Sequence, residues 1–185
     1  MRNELGFIQV GSLIPSKRNN ITIEAFAKIT KDYPDARLTI IGEGPERDKL
    51  SRLCETLNIK EKVNFTGFLK HVEVLEEMRK NTYFIMPSAP EGLGIVYLEA
   101  MSEGCITIGT RGEGISDIIE DGNNGFLVSI DNVQDIYIKV KKCIEEEQLR
   151  VLISQNGKET SDALTWENNA EQYERIYARE CKCYR

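Results

Sequence analysis

Tyr83-Phe-Ile-Met-Pro87-Ser-Ala-Pro-Glu91-Gly-Leu-Gly94-Ile-Val-Tyr-Leu-Glu99-Ala-Met101 decides how this 185-residue chain reads. The first four residues form an unbroken apolar run of strand type. The middle is a turn rich in proline and glycine, and the end is a helical pattern. A strand feeding a glycine-rich turn and a helix N-terminus outlines an anion site, because free backbone N–H groups and the positive end of the helix dipole point at one spot. Glu91 and Glu99 bracket that spot. An acid in the first turns of such a helix can accept hydrogen bonds from hydroxyls beside the anion, and phosphate next to sugar hydroxyls describes a nucleotide or a nucleotide-sugar. Acids also collect at helix N-termini for dipole reasons alone. That reading covers one of the two and leaves the glycines between them unexplained.

Working outward, short apolar runs at Gly6–Val10, Arg37–Ile41, Lys62–Thr66, Tyr83–Met86, Cys105–Gly109 and Gly125–Val128 read as strands. Between them lie helical patterns at Ile21–Tyr33, Glu46–Leu57, Val72–Lys80, Ile95–Glu103 and, briefly, Ile115–Glu120. This alternation predicts parallel βαβ units with helices on both faces of the sheet. After Ser129 the strands stop, and Val133–Glu146, Gln148–Ser161 and Trp166–Arg179 read as consecutive helices. The expected fold is α/β, a Rossmann-like doubly wound parallel sheet of about six strands with C-terminal helices, whose ligands sit beyond the carboxyl ends of the strands. Residues 1–164 are expected to form a nucleotide-sugar-binding domain, and 165–185 a helix and tail. Every glycine-rich segment follows a strand, so all of them converge on one edge.

A formal net charge of −6 leaves no basic excess for a nucleic-acid backbone, so nucleic acid is not expected as a partner. No apolar run is long enough to span a membrane, and Met1-Arg-Asn-Glu-Leu5 does not read as a signal peptide. Of five cysteines, Cys54, Cys105 and Cys143 sit in apolar stretches, where the thiol behaves as a small hydrophobe. Cys181 and Cys183 lie in a charged tail without a histidine, a pattern that zinc spacing rules disfavour. The expected setting is the reducing cytoplasm.

Four further features bear on chemistry. Gly11-Ser12-Leu-Ile-Pro-Ser-Lys17-Arg18 follows the first strand and reads either as a phosphate cradle or as an exposed basic loop before a helix. Gly42-Glu43-Gly44-Pro45-Glu46-Arg47 resembles the start of a dinucleotide fingerprint but has Arg47 at the third glycine and follows the second strand, so a tight turn is the better reading. Gly112-Glu113-Gly114 lies between a strand and a short helix; it either lines a diphosphate or sugar pocket or is a plain turn. His71, the single histidine, stands at a helix entrance without a triad pattern and reads as a surface or capping residue. No Gly-x4-Gly-Lys-Ser/Thr motif occurs.

Taken together, Gly11-Ser-Leu…Lys17, Gly42-Glu-Gly-Pro45, Val63-Asn-Phe-Thr-Gly-Phe68, Pro87-Ser…Glu91 to Met101, Gly112-Glu-Gly114, Ile118-Ile-Glu-Asp-Gly-Asn-Asn-Gly125 and the Trp166 segment resemble the C-terminal, donor-binding domain of the family 4 retaining glycosyltransferases, which have the GT-B fold. The resemblance covers essentially the whole chain. It implies that Lys17 contacts the diphosphate of a nucleotide-sugar, with Gly11, Ser12 and Arg18 in the same loop, and that amides around Gly92, Leu93 and Gly94 cap the distal phosphate. It further implies that Glu99 holds the ribose, Glu91 faces the transferred sugar and Phe68 borders the base. Lys17 and Glu91 are the catalytic candidates; no metal and no cofactor is expected.

Two departures stand out: Ser12 replaces the family's arginine, which removes one diphosphate cation unless Arg18 substitutes, and Glu113 enters its Gly-Gly pair, which puts an acid near the pocket. A GT-B enzyme also has an N-terminal acceptor domain, so a further domain or partner chain is expected, and the chain alone is expected to be inactive. The acceptor class implied is a polysaccharide or glycolipid, with peripheral membrane association through the full-length enzyme. The competing readings are a non-catalytic binding or assembly module docking through Trp166, Tyr173 and Ile176, half of a split enzyme, and a nucleotide-sugar epimerase.

Overall fold

The computed structural model describes residues 2–164. The predicted helix Trp166–Arg179, with the docking surface assigned to Trp166, Tyr173 and Ile176, lies outside the described residues. Strands β1 (Asn3–Val10), β2 (Arg37–Ile41), β3 (Val63–Gly67), β4 (Asn81–Ile85), β5 (Ile106–Thr110) and β6 (Phe126–Val128) alternate with helices α1 (Asn19–Asp32), α2 (Arg47–Thr56), α3 (His71–Lys80) and α4 (Ile95–Ser102). Helices α5 (Val133–Glu145) and α6 (Glu147–Ala163) complete the described chain. The strands form a six-stranded sheet in the order β3-β2-β1-β4-β5-β6, with every named pairing parallel. This is the doubly wound order, and its direction reverses between β1 and β4.

Strand alternation divides the core. Phe7 on β1 and Tyr83 and Ile85 on β4 join Phe26 of α1 and Val140 of α5 on one face. Their neighbours Ile8, Phe84 and Met86 join Met78 of α3 and Tyr97 and Met101 of α4 on the other. Rings lock both layers: Phe7 stacks on Tyr83 at 4.8 Å and meets Phe26 edge-on at 5.6 Å, while Phe84 meets Tyr97 edge-on at 5.6 Å. Fully burying such side chains stabilises by about 1.5–3 kcal/mol each, and aromatic geometry adds about 0.5–1.5 kcal/mol per pair. All five residues of β4 are buried, as expected of a central strand covered on both faces. Cys54, Cys105 and Cys143 are buried too. Burial pushes their thiols up to about 11, 12 and 12, so all three are neutral at physiological pH.

One predicted helix is corrected. Ile115–Glu120 contains only a short 3-10 turn, Gly114–Asp117. The Ser116 hydroxyl accepts from the Gly112 amide at 2.8 Å and donates to the Thr110 carbonyl at 3.2 Å, while Asn124 accepts from the Glu120 amide at 2.8 Å. These side chains offer the backbone partners that a helix would otherwise provide. Smaller differences lie at element ends: β1 starts at Asn3 and α1 at Asn19.

The turn after β2 carries the loop after β1 on its back. The Leu13 amide donates to the Glu43 carbonyl at 2.9 Å, and the Glu46 amide to the Leu13 carbonyl at 3.1 Å. The approach is so close that a Cβ at Gly42, where φ is +137°, would run into the Gly11 carbonyl. Gly42 and Gly44 therefore serve backbone packing, in agreement with the tight-turn reading. Gly42→Ala is expected to lower stability by about 3 kcal/mol or more, combining backbone strain with overpacking; urea denaturation, with the midpoint falling at unchanged slope, checks it.

Candidate functional site

The loops after β1 and β4 leave adjacent parallel strands at the sheet's reversal, where a crevice opens between them. The first passes through a 3-10 turn at Pro15–Lys17 into Arg18, whose φ of 50° starts α1. Its backbone is held from below, since the buried Gln9 side chain donates to the Lys17 carbonyl at 2.9 Å. The second loop, 86–94, includes a cis Ala89–Pro90 peptide. The Ala89 amide joins the loops by donating to the Ser16 carbonyl at 2.8 Å.

Across this seam the Lys17 ammonium donates to Glu91 Oε2, with the two side chains only 24% and 13% exposed. The Ser88 hydroxyl donates to the same oxygen at 3.0 Å. Two donors on one half-buried carboxylate fix its position more firmly than a surface ion pair does. Ser88 in turn lies 3.2 Å from the Tyr97 hydroxyl, which donates to the Met86 carbonyl at 2.5 Å. Burial raises the Tyr97 pKa, and the nearby Glu91 and Glu113 carboxylates raise it further, so the phenol remains a donor at every physiological pH. Tyr97 thereby ties the first turn of α4 to the end of β4.

The segment 91–94 enters α4 through Gly94 at φ 67°. Among the described residues, none accepts a hydrogen bond from the amides of Gly92, Leu93 or Gly94. The turn after β5 presses on this segment: the Gly114 amide donates to the Glu91 carbonyl at 3.3 Å, and a Cβ at Gly114 would run into the Gly92 carbonyl. From the same turn Glu113 Oε2 accepts from the Glu91 amide at 2.6 Å. Of the two readings left open for 112–114, the structure places the turn against the candidate loop.

Glu99 lies in the second turn of α4, half-buried, with Oε1 2.9 Å from His71 Nε2. His71, the first residue of α3, is a surface residue, but α3 is capped by Glu73, whose carboxylate accepts from the Lys70 amide at 2.8 Å. Glu99 also borders a hollow of about 350 Å³ between α4 and α6, lined by Leu93, Ile95 and Leu164. Phe68, Gly11 and Ser12 line a second hollow of about 400 Å³ beyond the ends of β1 and β2, with the Phe68 ring 74% exposed.

The structure thus brings Lys17 to Glu91, Gly11 and Ser12 to Phe68, and Leu93 to Glu99, around one edge of the sheet. Arg18 is turned to another partner, with its Nε 3.0 Å from Asp131 after β6. It is not among the contacts of Glu91. The supporting residues Gln9, Ser88, Tyr97 and His71 were not singled out as site residues from sequence. Ser88 and Tyr97 lie within the deciding stretch, and a glutamine in an apolar strand is itself a signal. Among the described residues, no group of three or more histidine, cysteine, aspartate or glutamate side chains is placed to hold a metal ion.

Sheet order, paired loops and the helix at the reversal define a doubly wound α/β domain. The sequence profile of the family described as glycosyl transferases group 1 matches residues 2–160, and the chain belongs to that family. N-acetyl-alpha-D-glucosaminyl L-malate synthase of Bacillus anthracis is 30% identical over 171 residues, covering 92% of this chain and 44% of that protein. The C-terminal domain of a glycosyl transferase group 1 family protein (LpcC) from Francisella tularensis superimposes with a TM-score of 0.79 at 28% identity, covering 88% of this chain and 87% of that one. Anabaena HepE in complex with UDP gives 0.83 at 25% identity, over 95% of this chain and 49% of that one. The chain spans less than half the length of the curated relatives it matches first. It is a glycosyltransferase domain of the GT-B fold.

Tyr97→Phe leaves the ring packing intact and removes one buried donor from the Met86 carbonyl. It is expected to cost about 1–3 kcal/mol, measured by chemical denaturation.

Proposed function

We propose that this chain is the donor-binding domain of a retaining, metal-independent glycosyltransferase that moves a sugar from a nucleotide-sugar to a polysaccharide or glycolipid acceptor. The observation that carries the proposal is the meeting of Lys17, Glu91 and Ser88 across the reversal, beside the amides of Gly92–Gly94 and one helix face from Glu99. Lys17 holds the diphosphate, the amides take its distal phosphate, and the dipole of α4 favours the charge that grows on it as the sugar leaves. Preorganised donors aimed at developing charge are the most effective single catalytic device. Glu91, fixed by Lys17 and Ser88, faces the sugar near its anomeric carbon. Glu99 accepts from the ribose hydroxyls, with His71 on its Oε1, and Phe68 offers its exposed ring to the base. UDP bound to the structurally similar HepE supports a nucleoside diphosphate as the donor's leaving group.

The acceptor side belongs, in this reading, to a second domain or partner chain, without which this chain binds donor but transfers nothing. The setting is cytoplasmic, with peripheral membrane association through the full-length enzyme. Among the described residues, no helix is long and apolar enough to cross a membrane.

A thermal-shift panel of UDP, GDP, ADP and their sugars tests the proposal; no stabilisation by any of them contradicts it. Lys17→Ala is expected to weaken nucleoside diphosphate binding at least tenfold more than nucleoside binding, the loss expected of a charge-assisted contact; equal losses in calorimetry would remove the phosphate role. Glu99→Gln is expected to weaken nucleotide-sugar binding by about 1–3 kcal/mol through a lost charged hydrogen bond, and unchanged affinity would remove the ribose role.

A further inference from the structure

Glu113 stands in a turn whose backbone does not need it. Its φ and ψ of −94° and 166° are extended values that any residue adopts. Its neighbours are constrained instead: Gly112 lies at φ 85°, and Gly114 meets the Gly92 carbonyl too closely for a Cβ. The side chain at position 113 is therefore free of the turn's geometry, and what it contributes is a carboxylate. That carboxylate accepts from the Glu91 amide at 2.6 Å, at the entrance to the run of amides leading into α4. It is a charge-assisted bond of the kind an incoming phosphate oxygen would make.

The local charge count points the same way. Glu91 accepts from Lys17, so one ammonium already faces one carboxylate, and Glu113 adds a second acid within reach of Tyr97 and the Glu91 backbone. Arg18, the next cation in the loop, is engaged by Asp131. An anion entering here meets one acid that competes for Lys17 and another whose charge stands beside the amides of Gly92–Gly94. Like charges at this range, in a partly desolvated crevice, are screened far less than on an open surface.

We propose that Glu113, held on the Glu91 amide beside the amides of Gly92–Gly94, sets how tightly this domain grips the diphosphate of its ligand, acting as a repulsive charge at the phosphate site. The proposal rests on the donor-binding reading above. Its consequence is a weak hold on the nucleoside diphosphate left after transfer, so that the spent nucleotide leaves readily. Glu113 is a specificity-determining residue that discriminates by phosphate charge.

The test is an NMR titration of the 185-residue chain with UDP, GDP and ADP and with the corresponding nucleosides. Glu113→Gln keeps an oxygen that can accept from the Glu91 amide and removes the charge, whereas Glu113→Ala removes both. Both variants are expected to tighten binding of the best nucleoside diphosphate by about three- to tenfold, with the nucleoside unchanged and the gain shrinking as salt rises. The amide spectrum of each variant reports that the fold is retained. Unchanged or weaker diphosphate binding in Glu113→Gln overturns the proposal. So does an equal gain for the nucleoside, or a loss confined to Glu113→Ala, which would make Glu113 a structural latch. If the wild-type chain binds a diphosphate that Lys17→Ala releases while the Glu113 variants change nothing, this inference alone falls. If no diphosphate binds any of these proteins, the donor-binding reading falls with it.

Discussion

Parallel pairing of β1 with β4 is the constraint on which the rest depends. Two parallel neighbours cannot be joined by a hairpin, so each sends its chain off over the sheet through a crossover helix. Because β2 lies on one side of β1 and β5 on the other side of β4, the two crossovers diverge and leave a crevice between them. Register then does the placing. Phe7 pairs with Tyr83 and Ile8 with Phe84, so both strands end at the same level and release their loops side by side. The Lys17 and Glu91 side chains meet although 74 positions separate them in sequence.

The stability of that arrangement comes from apolar layers, and its chemistry from what those layers hold still. Phe7, Tyr83 and Phe26 pack below the seam; Phe84 and Tyr97 pack beyond it. Tyr97 belongs to both systems, since its ring fills the core and its hydroxyl reaches Met86 and Ser88. A polar tip on a large buried ring is a common way to transmit core rigidity to a loop. The acids differ in how they are held. Glu91 has an ammonium and a hydroxyl on its carboxylate, whereas Glu113 rests on a single backbone amide.

Much of this was legible in the chain. Apolar runs of strand length separated by amphipathic segments located all six strands, because buried parallel strands carry a signal that local propensity does not obscure. The stretch from Tyr83 to Met101 announced a strand, a turn and a helix, and the structure has them in that order. The illegible parts depend on which side chain captures which backbone group. Nothing in Gly114-Ile-Ser-Asp117 states that Ser116 will bond Gly112 and Thr110 and stop a helix from forming. Arg18 follows Lys17 in sequence, yet its left-handed backbone turns it toward Asp131. The partners of Glu99 and Glu113 come from other loops, and local patterning carries no information about such meetings.

The shelf beneath the first loop has a consequence for how changes in this protein will show themselves. Gly42, Glu43 and Gly44 touch Gly11 and Leu13 through main-chain atoms, which have no rotamers with which to yield. A small displacement of that turn must therefore pass undamped into the loop that carries Lys17. Replacements there are expected to disturb the Lys17 loop as well as the turn itself. Along this edge of the sheet, the line between a residue that builds the fold and one that performs its work is drawn by backbone contact, and side-chain chemistry alone will misplace it.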